Sequence, residues 1–224
     1  MLKEFLSIFI NIPCALCQRP ASATICNYCQ QQLKSCQLQQ QKLGRGHLPV
    51  LAWGKYEGTL KRAIASMKYN HLPEIGCLLG QWLGESWLNA VTGVNKAQII
   101  VVPIPLHPEK LQQRGFNQAE KIAAGFCQVT DYNLQPKLLK KVKNSQAMFN
   151  LNPNQRVANI SNAFIIGKIP RSKMTSQSIL LIDDIYTTGA TVSEAAKVLQ
   201  RQKIKVRGVA VVATPQKISG QSNI

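Results

Sequence analysis

Two adjacent carboxylates and a run of small hydroxylated residues share one stretch, LIDDIYTTGAT, from Leu181 to Thr191. The two halves suit different chemistry. Thr187, Thr188, Gly189, Ala190 and Thr191 precede a helix predicted to begin near Thr191. Amides at a helix N-terminus are unpaired and carry partial positive charge. Small residues let a phosphate reach such a backbone, and three hydroxyls add donors. Gly189 can take a backbone shape that other residues resist. Asp183 and Asp184 repel phosphate, but a carboxylate accepts O–H donors well, and vicinal sugar hydroxyls supply them. A ribose carrying a 5′-phosphate satisfies both halves. Magnesium fits beside it if the ligand also carries a pyrophosphate. The plain alternative is a strand closed by an acidic turn and a helix, with no ligand.

A second constellation is Cys14, Cys17, Cys26 and Cys29, spaced C-x2-C-x8-C-x2-C. Two close pairs joined by a short loop can set four thiolates around one tetrahedral zinc ion. Without a metal, so small and loop-rich a segment has almost no core to hold it. Four protein ligands leave no open position, so the expected zinc is structural. Cys36 lies outside the spacing, and Cys77 and Cys127 fall in apolar helical patterns and are read as buried.

Positioning these residues needs a scaffold. Leu60, Ile64 and Met67 mark one face of a helix from about Thr59, and PEIGCLLGQWLGESWLNAV reads as an amphipathic helix with Pro73 near its start. NQAEKIAAGFCQV and TVSEAAKVLQRQ are further helices. QIIVVPIP, NAFIIG, SILLID and VRGVAVVA read as strands. Strand alternating with helix predicts an α/β fold with a parallel sheet flanked by helices. Ligands of such sheets lie beyond the carboxyl ends of the strands, where Asp183 and Asp184 fall. The expected organisation is a four-cysteine zinc module over 1–36, a Gln-rich linker over 37–50, the α/β domain over 51–214 and a flexible tail over 215–224.

Composition narrows the partners. Lys and Arg total 27 against 10 Asp and Glu, a formal net charge of +17 over 224 residues. Such a balance favours a polyanion: nucleic acid, anionic lipid or a phosphorylated metabolite. Between Lys96 and Lys173 stand twelve basic residues and three acids. No apolar run approaches the ~18–20 residues of a membrane span, so no membrane insertion is expected. The opening MLKEFLSIFINIPC lacks a cleavage pattern and is read as an apolar leader packed on the body. A cytoplasmic location follows, where thiols stay reduced.

ILLIDDIYTTGAT resembles, at every position, the phosphoribosyl pyrophosphate (PRPP) signature of type I phosphoribosyltransferases. A resemblance to the competence protein ComF family covers nearly the whole chain: the four-cysteine module, VVPIPLHPEKLQQRGFNQAEKIA and the PRPP segment follow in that order. It implies a type I phosphoribosyltransferase-like fold, PRPP with magnesium as ligand, and a part in uptake or use of external DNA alongside other uptake proteins. Asp183, Asp184 and Arg114 are then the implied catalytic groups. His107 in the turn after the first core strand is an implied pyrophosphate contact, or simply a turn residue beside Pro108. Arg114 has a planar fork suited to phosphate oxygens, or is a solvated charge. Asn117 either serves the ligand or caps the helix that follows. Lys68 resembles a recurring family lysine; it reaches the ligand or closes a helix end. Family members carry a mobile loop over the ligand; here Leu151, Arg156 and Asn159 keep its spacing, and Lys140, Lys141 and Lys143 bring it positive charge or, more simply, form a solvated basic face. Ser145 and Met148 depart from the family's Thr and Gln there, which leaves catalytic competence and acceptor open. The alternative function is a non-catalytic single-stranded-DNA-binding module that keeps the fold without the chemistry.

Overall fold

The computed structural model describes residues 12–39, 42–43, 48–91, 95–144, 161–167 and 177–215. Strands β1 (Ile12–Pro13) and β2 (Pro20–Ala21) form a small antiparallel ladder, followed by helix α1 (Asn27–Lys34). Then come β3 (Lys42–Leu43), β4 (Val50–Lys55), α2 (Gly58–Tyr69), α3 (Pro73–Ala90), β5 (Ile99–Pro103), α4 (Pro108–Arg114) and α5 (Gln118–Thr130). The chain continues through β6 (Asn133–Leu134), β7 (Leu139–Lys141), β8 (Phe164–Ile166), β9 (Ser178–Ile185), α6 (Ala190–Arg201) and β10 (Lys205–Thr214).

The main sheet has the order β3-β4-β10-β9-β5-β6. β4, β10, β9, β5 and β6 run parallel, and β3 adds an antiparallel edge. The parallel α/β expectation is therefore met. β5 and the first seven residues of β9 are buried throughout, which is why they read as unbroken apolar runs rather than as alternation. One apolar cluster fills one face with Leu60, Ile64 and Met67 of α2, Leu79 and Leu83 of α3, and Phe126 of α5, against Leu180 and Ile182. The other face holds Val192, Ala195, Ala196 and Leu199 of α6 against Ile179 and Leu181. Those α6 positions, spaced i, i+3, i+4 and i+7, are the helical stripe seen in the sequence.

Four features depart from the pattern read in the sequence, one being that Lys140 and Lys141, read as part of a loop, stand on strand β7 because their backbone pairs with β8. VLAWGK forms β4, a strand pairing in parallel with β10. NAFIIG does form a strand, but β8 leaves the main sheet and pairs antiparallel with β7. A short helix, α4, stands between β5 and α5.

α3 and α5 touch backbone to backbone. A Cβ on Gly80 would lie 2.0 Å from the Ile122 carbonyl oxygen, and one on Gly125 would lie 2.0 Å from that of Cys77. No heavier residue allows this approach. Cys77 and Cys127 sit half-buried on these helices; the Cys77 thiol donates to Gln128 Oε1 at 3.4 Å, and burial pushes the Cys127 thiol up to about 12.

The amino-terminal segment shares the core of the body. Cys14, Ile25, Cys29 and Leu33 belong to the same apolar cluster as α2 and α3. Trp53 stacks on Trp82 at 5.5 Å, and Lys34 of α1 lies over the Trp82 ring at 5.5 Å. The opening leader, residues 1–11, lies outside the described residues.

Candidate functional site

β9 is the site's backbone. It lies between β10 and β5, and carries Asp183 and Asp184 to the carboxyl end of the sheet. Both are buried, 8% and 5% exposed. The Asp184 N–H donates to Asp183 Oδ1 at 2.9 Å. Two carboxylates this close in a dry place cannot both hold full charge without help. Lys68, in the last turn of α2, supplies it by ion-pairing with Asp184.

The two acids consequently diverge. Burial works against ionising Asp184, but the Lys68 ammonium outweighs it and holds the carboxyl below its ordinary value. Burial and then the Asp184 charge push Asp183 well above the ordinary carboxylate range. Lys68 is disfavoured as a cation by burial, yet Asp184 raises it above its ordinary value. The site thus offers one carboxyl biased toward its proton and one firmly ionised. The first can donate a hydrogen bond to a sugar oxygen and the second can accept one.

A second lysine approaches from the hairpin. Lys141 of β7 is half-buried, with its ammonium 5.7 Å from the centre of the Phe164 ring. Burial and then repulsion by Lys110 lower it to about 8, against a pull from Asp183. Buried Glu194 of α6 accepts the Asn162 N–H at 2.9 Å and so ties the approach to β8 onto α6. Lys140 and Lys143 are exposed.

Beyond Asp184 the chain turns into α6. Tyr186 N–H donates to the Ala213 carbonyl at 2.9 Å, and Thr214 Oγ1 donates to the Tyr186 carbonyl at 2.9 Å, so the turn begins locked to β10. Thr187 is half-buried and Thr188 exposed, with Thr188 Oγ1 accepting the Ala190 N–H at 3.4 Å. Gly189 has φ 78°, the left-handed shape anticipated for it, and no side chain caps α6 from that position. Ala190 and Thr191 form the first helical positions, half-buried, one residue earlier than the predicted start.

The third wall is α4 and its flanks. His107 is the N-cap of α4: its Nδ1 accepts the Glu109 N–H at 3.4 Å. Arg114 closes the same helix, donates to Gln118 Oε1 at 2.5 Å and lies 5.9 Å from the centre of the Tyr69 ring. Its charge reaches Lys68. Asn117 takes the structural role: its Oδ1 caps α5 through Ala119 N–H at 3.1 Å and its Nδ2 donates to the Ile104 carbonyl at 3.1 Å. The structure therefore gathers Asp183, Asp184, Lys68, Lys141 and Arg114 at one end of the sheet. Ser145, Met148, Leu151, Arg156 and Asn159 lie outside the described residues. The sequence reading missed Tyr56 and Tyr69. Burial raises the Tyr56 phenol, with Lys68, Asp184 and Tyr69 all acting on it. The only signal in the sequence was that Tyr69 follows Lys68 directly.

Away from this site, the sulfurs of Cys14, Cys17, Cys26 and Cys29 lie within 4.8 Å of one another. A tetrahedral ion with ligands at ~2.3 Å sets its sulfurs about 3.8 Å apart. Cys17 and Cys26 sulfurs stand at 3.7 Å, so the donor set fits a thiolate-bound metal such as zinc. Burial opposes ionising Cys14, but N–H groups of Cys26, Leu16 and Cys17 bring its thiol down to about 6. Cys29 goes the other way, raised first by burial and then by its neighbouring thiols. Cys36 stays apart, its thiol donating to the Gln32 carbonyl at 3.5 Å.

The chain is similar to competence protein F of Haemophilus influenzae, 26% identical over 225 residues, covering 90% of this chain and 98% of that one. It is similar to competence protein ComFC of Streptococcus pneumoniae, 30% identical over 194 residues, with 86% and 76% covered. DNA utilization protein YhgH of Escherichia coli shares 26% over 148 residues, with 65% and 63% covered. No family model matches. Among solved structures, the AQ2163 protein of Aquifex aeolicus superposes with a TM-score of 0.43 at 13% identity, over 74% of this chain and 86% of that one. A hypoxanthine phosphoribosyltransferase of Staphylococcus aureus gives 0.34 at 15%, over 66% and 71%. No helix among the described residues is long and apolar enough to cross a membrane.

Proposed function

The chain belongs to the competence protein ComF family, and from that premise we propose that its sheet terminus binds a phosphorylated ribose, PRPP or a close relative, in the service of uptake or use of external DNA. The observation that carries this reading is the buried Asp183–Asp184 pair followed, after four intervening residues, by a left-handed Gly189 that opens α6 without a side-chain cap of its own. The acids would hold the sugar hydroxyls, and Thr187, Thr188, Gly189, Ala190 and Thr191 would hold the 5′-phosphate. Lys68, Arg114 and Lys141 would face the pyrophosphate, with His107 at the margin. Arg156 and Lys143 belong to the same proposal through the sequence resemblance. Magnesium would arrive with the pyrophosphate and help neutralise it; Asp184 is already committed to Lys68. The four cysteines would hold a structural zinc.

Should the site turn over, the bond from ribose C1 to the pyrophosphate oxygen breaks with its electron pair leaving on pyrophosphate. The lone pair of an acceptor nitrogen forms the new bond, and that nitrogen releases its proton. Preorganised charge is what the chain would contribute. Calorimetric titration with PRPP and magnesium tests the binding: heat is expected, and its loss in an Asp183→Asn, Asp184→Asn double variant. No heat from PRPP or from ribose 5-phosphate overturns it. Pyrophosphate release, screened with nucleobases and amines, separates enzyme from binder.

A second reading, a single-stranded-DNA-binding module without catalysis, is favoured by the net charge of +17. Such binding weakens steeply with salt. Filter binding across a salt series tests it, and no affinity at low salt removes it.

A further inference from the structure

We propose that Tyr69, backed by Arg114, is a stacking platform for a nucleobase at the mouth of the acidic site. This inference rests in part on the phosphorylated-ribose reading above, because it places the base beside the sugar. Trp53, Trp82, Trp87, Phe126 and Tyr132 are buried in the core. Tyr69 is 67% exposed. Tyr28 is exposed as well, with Arg19 5.2 Å from its ring centre, so exposure and a nearby guanidinium are not distinctive in themselves; Tyr69 is set apart by its place beside Lys68 and Tyr56.

It is the last residue of α2, directly after Lys68, whose ammonium is paired with Asp184. Its sequence neighbour Lys68 thus holds one of the two acids. Its phenol and that of Tyr56 are near enough to influence one another. The Arg114 guanidinium stands 5.9 Å from the ring centre and is itself held by Gln118 at 2.5 Å. The turn after α2 is fastened to the same wall: His71, at φ 55°, makes a 3.0 Å hydrogen bond from Nδ1 to the Arg114 carbonyl. Ring and guanidinium thus come from separate elements, the guanidinium held by Gln118 and the ring open to solvent beside it. A tyrosine has only two side-chain torsions to order on binding, and an aromatic face beside a guanidinium is a surface on which any base can stack. Arg114 adds positive charge of the kind a nucleotide's phosphate requires.

The base can come from two sources, a free mononucleotide or a single strand of DNA. Two pairs of probes distinguish them on the full, metal-loaded chain. Adenosine 5′-monophosphate is compared with ribose 5-phosphate, and a thymidine oligonucleotide with an abasic oligomer of equal length. In at least one pair the base-bearing member should bind tighter by on the order of tenfold, the scale of one base–aromatic stack. Tyr69→Ala should erase that preference while leaving affinity for the base-free member unchanged; Tyr69→Phe and Tyr69→Trp should keep it. The pair that responds names the source. The proposal is overturned if neither pair shows a preference, if the preference survives Tyr69→Ala, or if Tyr69→Phe removes it as fully as alanine does. Failure of ribose 5-phosphate to bind the unaltered chain counts against the sugar clamp, and the oligonucleotide pair then still decides on Tyr69.

Discussion

The four cysteines and the two aspartates pose the same electrostatic problem and solve it differently. Each place crowds groups that become anionic. At the amino-terminal cluster, Cys14 is drawn toward its thiolate while Cys29 is pushed away from it, and the groups acting on these two are backbone N–H groups and neighbouring thiols. A thiolate-bound metal ion, which the donor set fits, would supply the balance there. At the sheet terminus, Lys68 already neutralises Asp184, and Asp183 is biased toward its proton. That end can fold without ligand, but a ligand must either displace a cation or bind alongside it.

The comparison breaks most decisively at the cysteines. Cys29→Ser should abolish bound metal in elemental analysis and lower the melting temperature of the whole chain, since Cys14 and Cys29 share the core of α2 and α3. Structural zinc carries apparent binding free energies on the order of 10 kcal/mol, so this is the largest effect expected. Retention of metal and melting temperature would mean that the cluster is not a ligand set.

Asp184→Ala comes next. It removes the carboxylate that the largely buried Lys68 ammonium pairs with, leaving only the more distant pull of Asp183, and should cost up to about 3 kcal/mol in urea denaturation. The double variant Lys68→Met, Asp184→Leu should recover most of that loss, because the pair's net contribution is small beside the penalty of an orphaned charge. pH sharpens the same contrast. Asp184 is lowered from 3.8, so its stabilisation is present above 3.8 and lost as pH falls through the folded value. Asp183 is raised from 3.8, so its contribution is present below 3.8 and lost as pH rises through the folded value. Asp183→Asn should therefore flatten the decline in stability on the way from acid toward neutrality. Lys68, raised from 10.5, contributes below 10.5 and loses that contribution above it.

Gly189→Ala should destabilise by roughly 1–3 kcal/mol, the scale of a side chain forced into a left-handed backbone. Its new methyl would also lie 2.4 Å from the Tyr186 hydroxyl. Thermal denaturation measures it. The smallest effect is at Lys141, whose charge fades through about 8. Affinity for ribose 5-phosphate should fall about twofold to fivefold as pH rises past that value, and Lys141→Arg should remove the pH dependence while keeping the affinity.

Much of this was legible in the residues. The strand–loop–helix around Asp183, the stripe of α6, the helices α2, α3 and α5 and the cysteine spacing each depend on local periodicity or fixed offsets, which a sequence displays directly. β4 was hidden because VLAWG is buried on both faces and shows no alternation, and it follows a polar, Gly-punctuated stretch. The role of β8 was hidden because a strand's pattern does not say which partner it pairs with. Nor can a sequence rank the candidates for a counter-ion: Lys68 precedes Asp184 by more than a hundred positions, and only the placement of α2 on the sheet brings them together. Tyr69 was passed over because one exposed aromatic carries no periodic signal.

The contact between α3 and α5 through Gly80 and Gly125 gives the molecule a stiff flank. With carbonyl oxygens where side chains would stand, the two helices behave as a single beam, and α5 in turn carries the Asn117 clasp on the loop that leaves β5. A methyl added at either glycine would be felt far from where it was placed, as a tilt of the beam that shifts Gln118 and slackens its grip on Arg114. Tolerance to change on that hidden seam is thereby tied to the aim of a guanidinium at the opposite end of the helix.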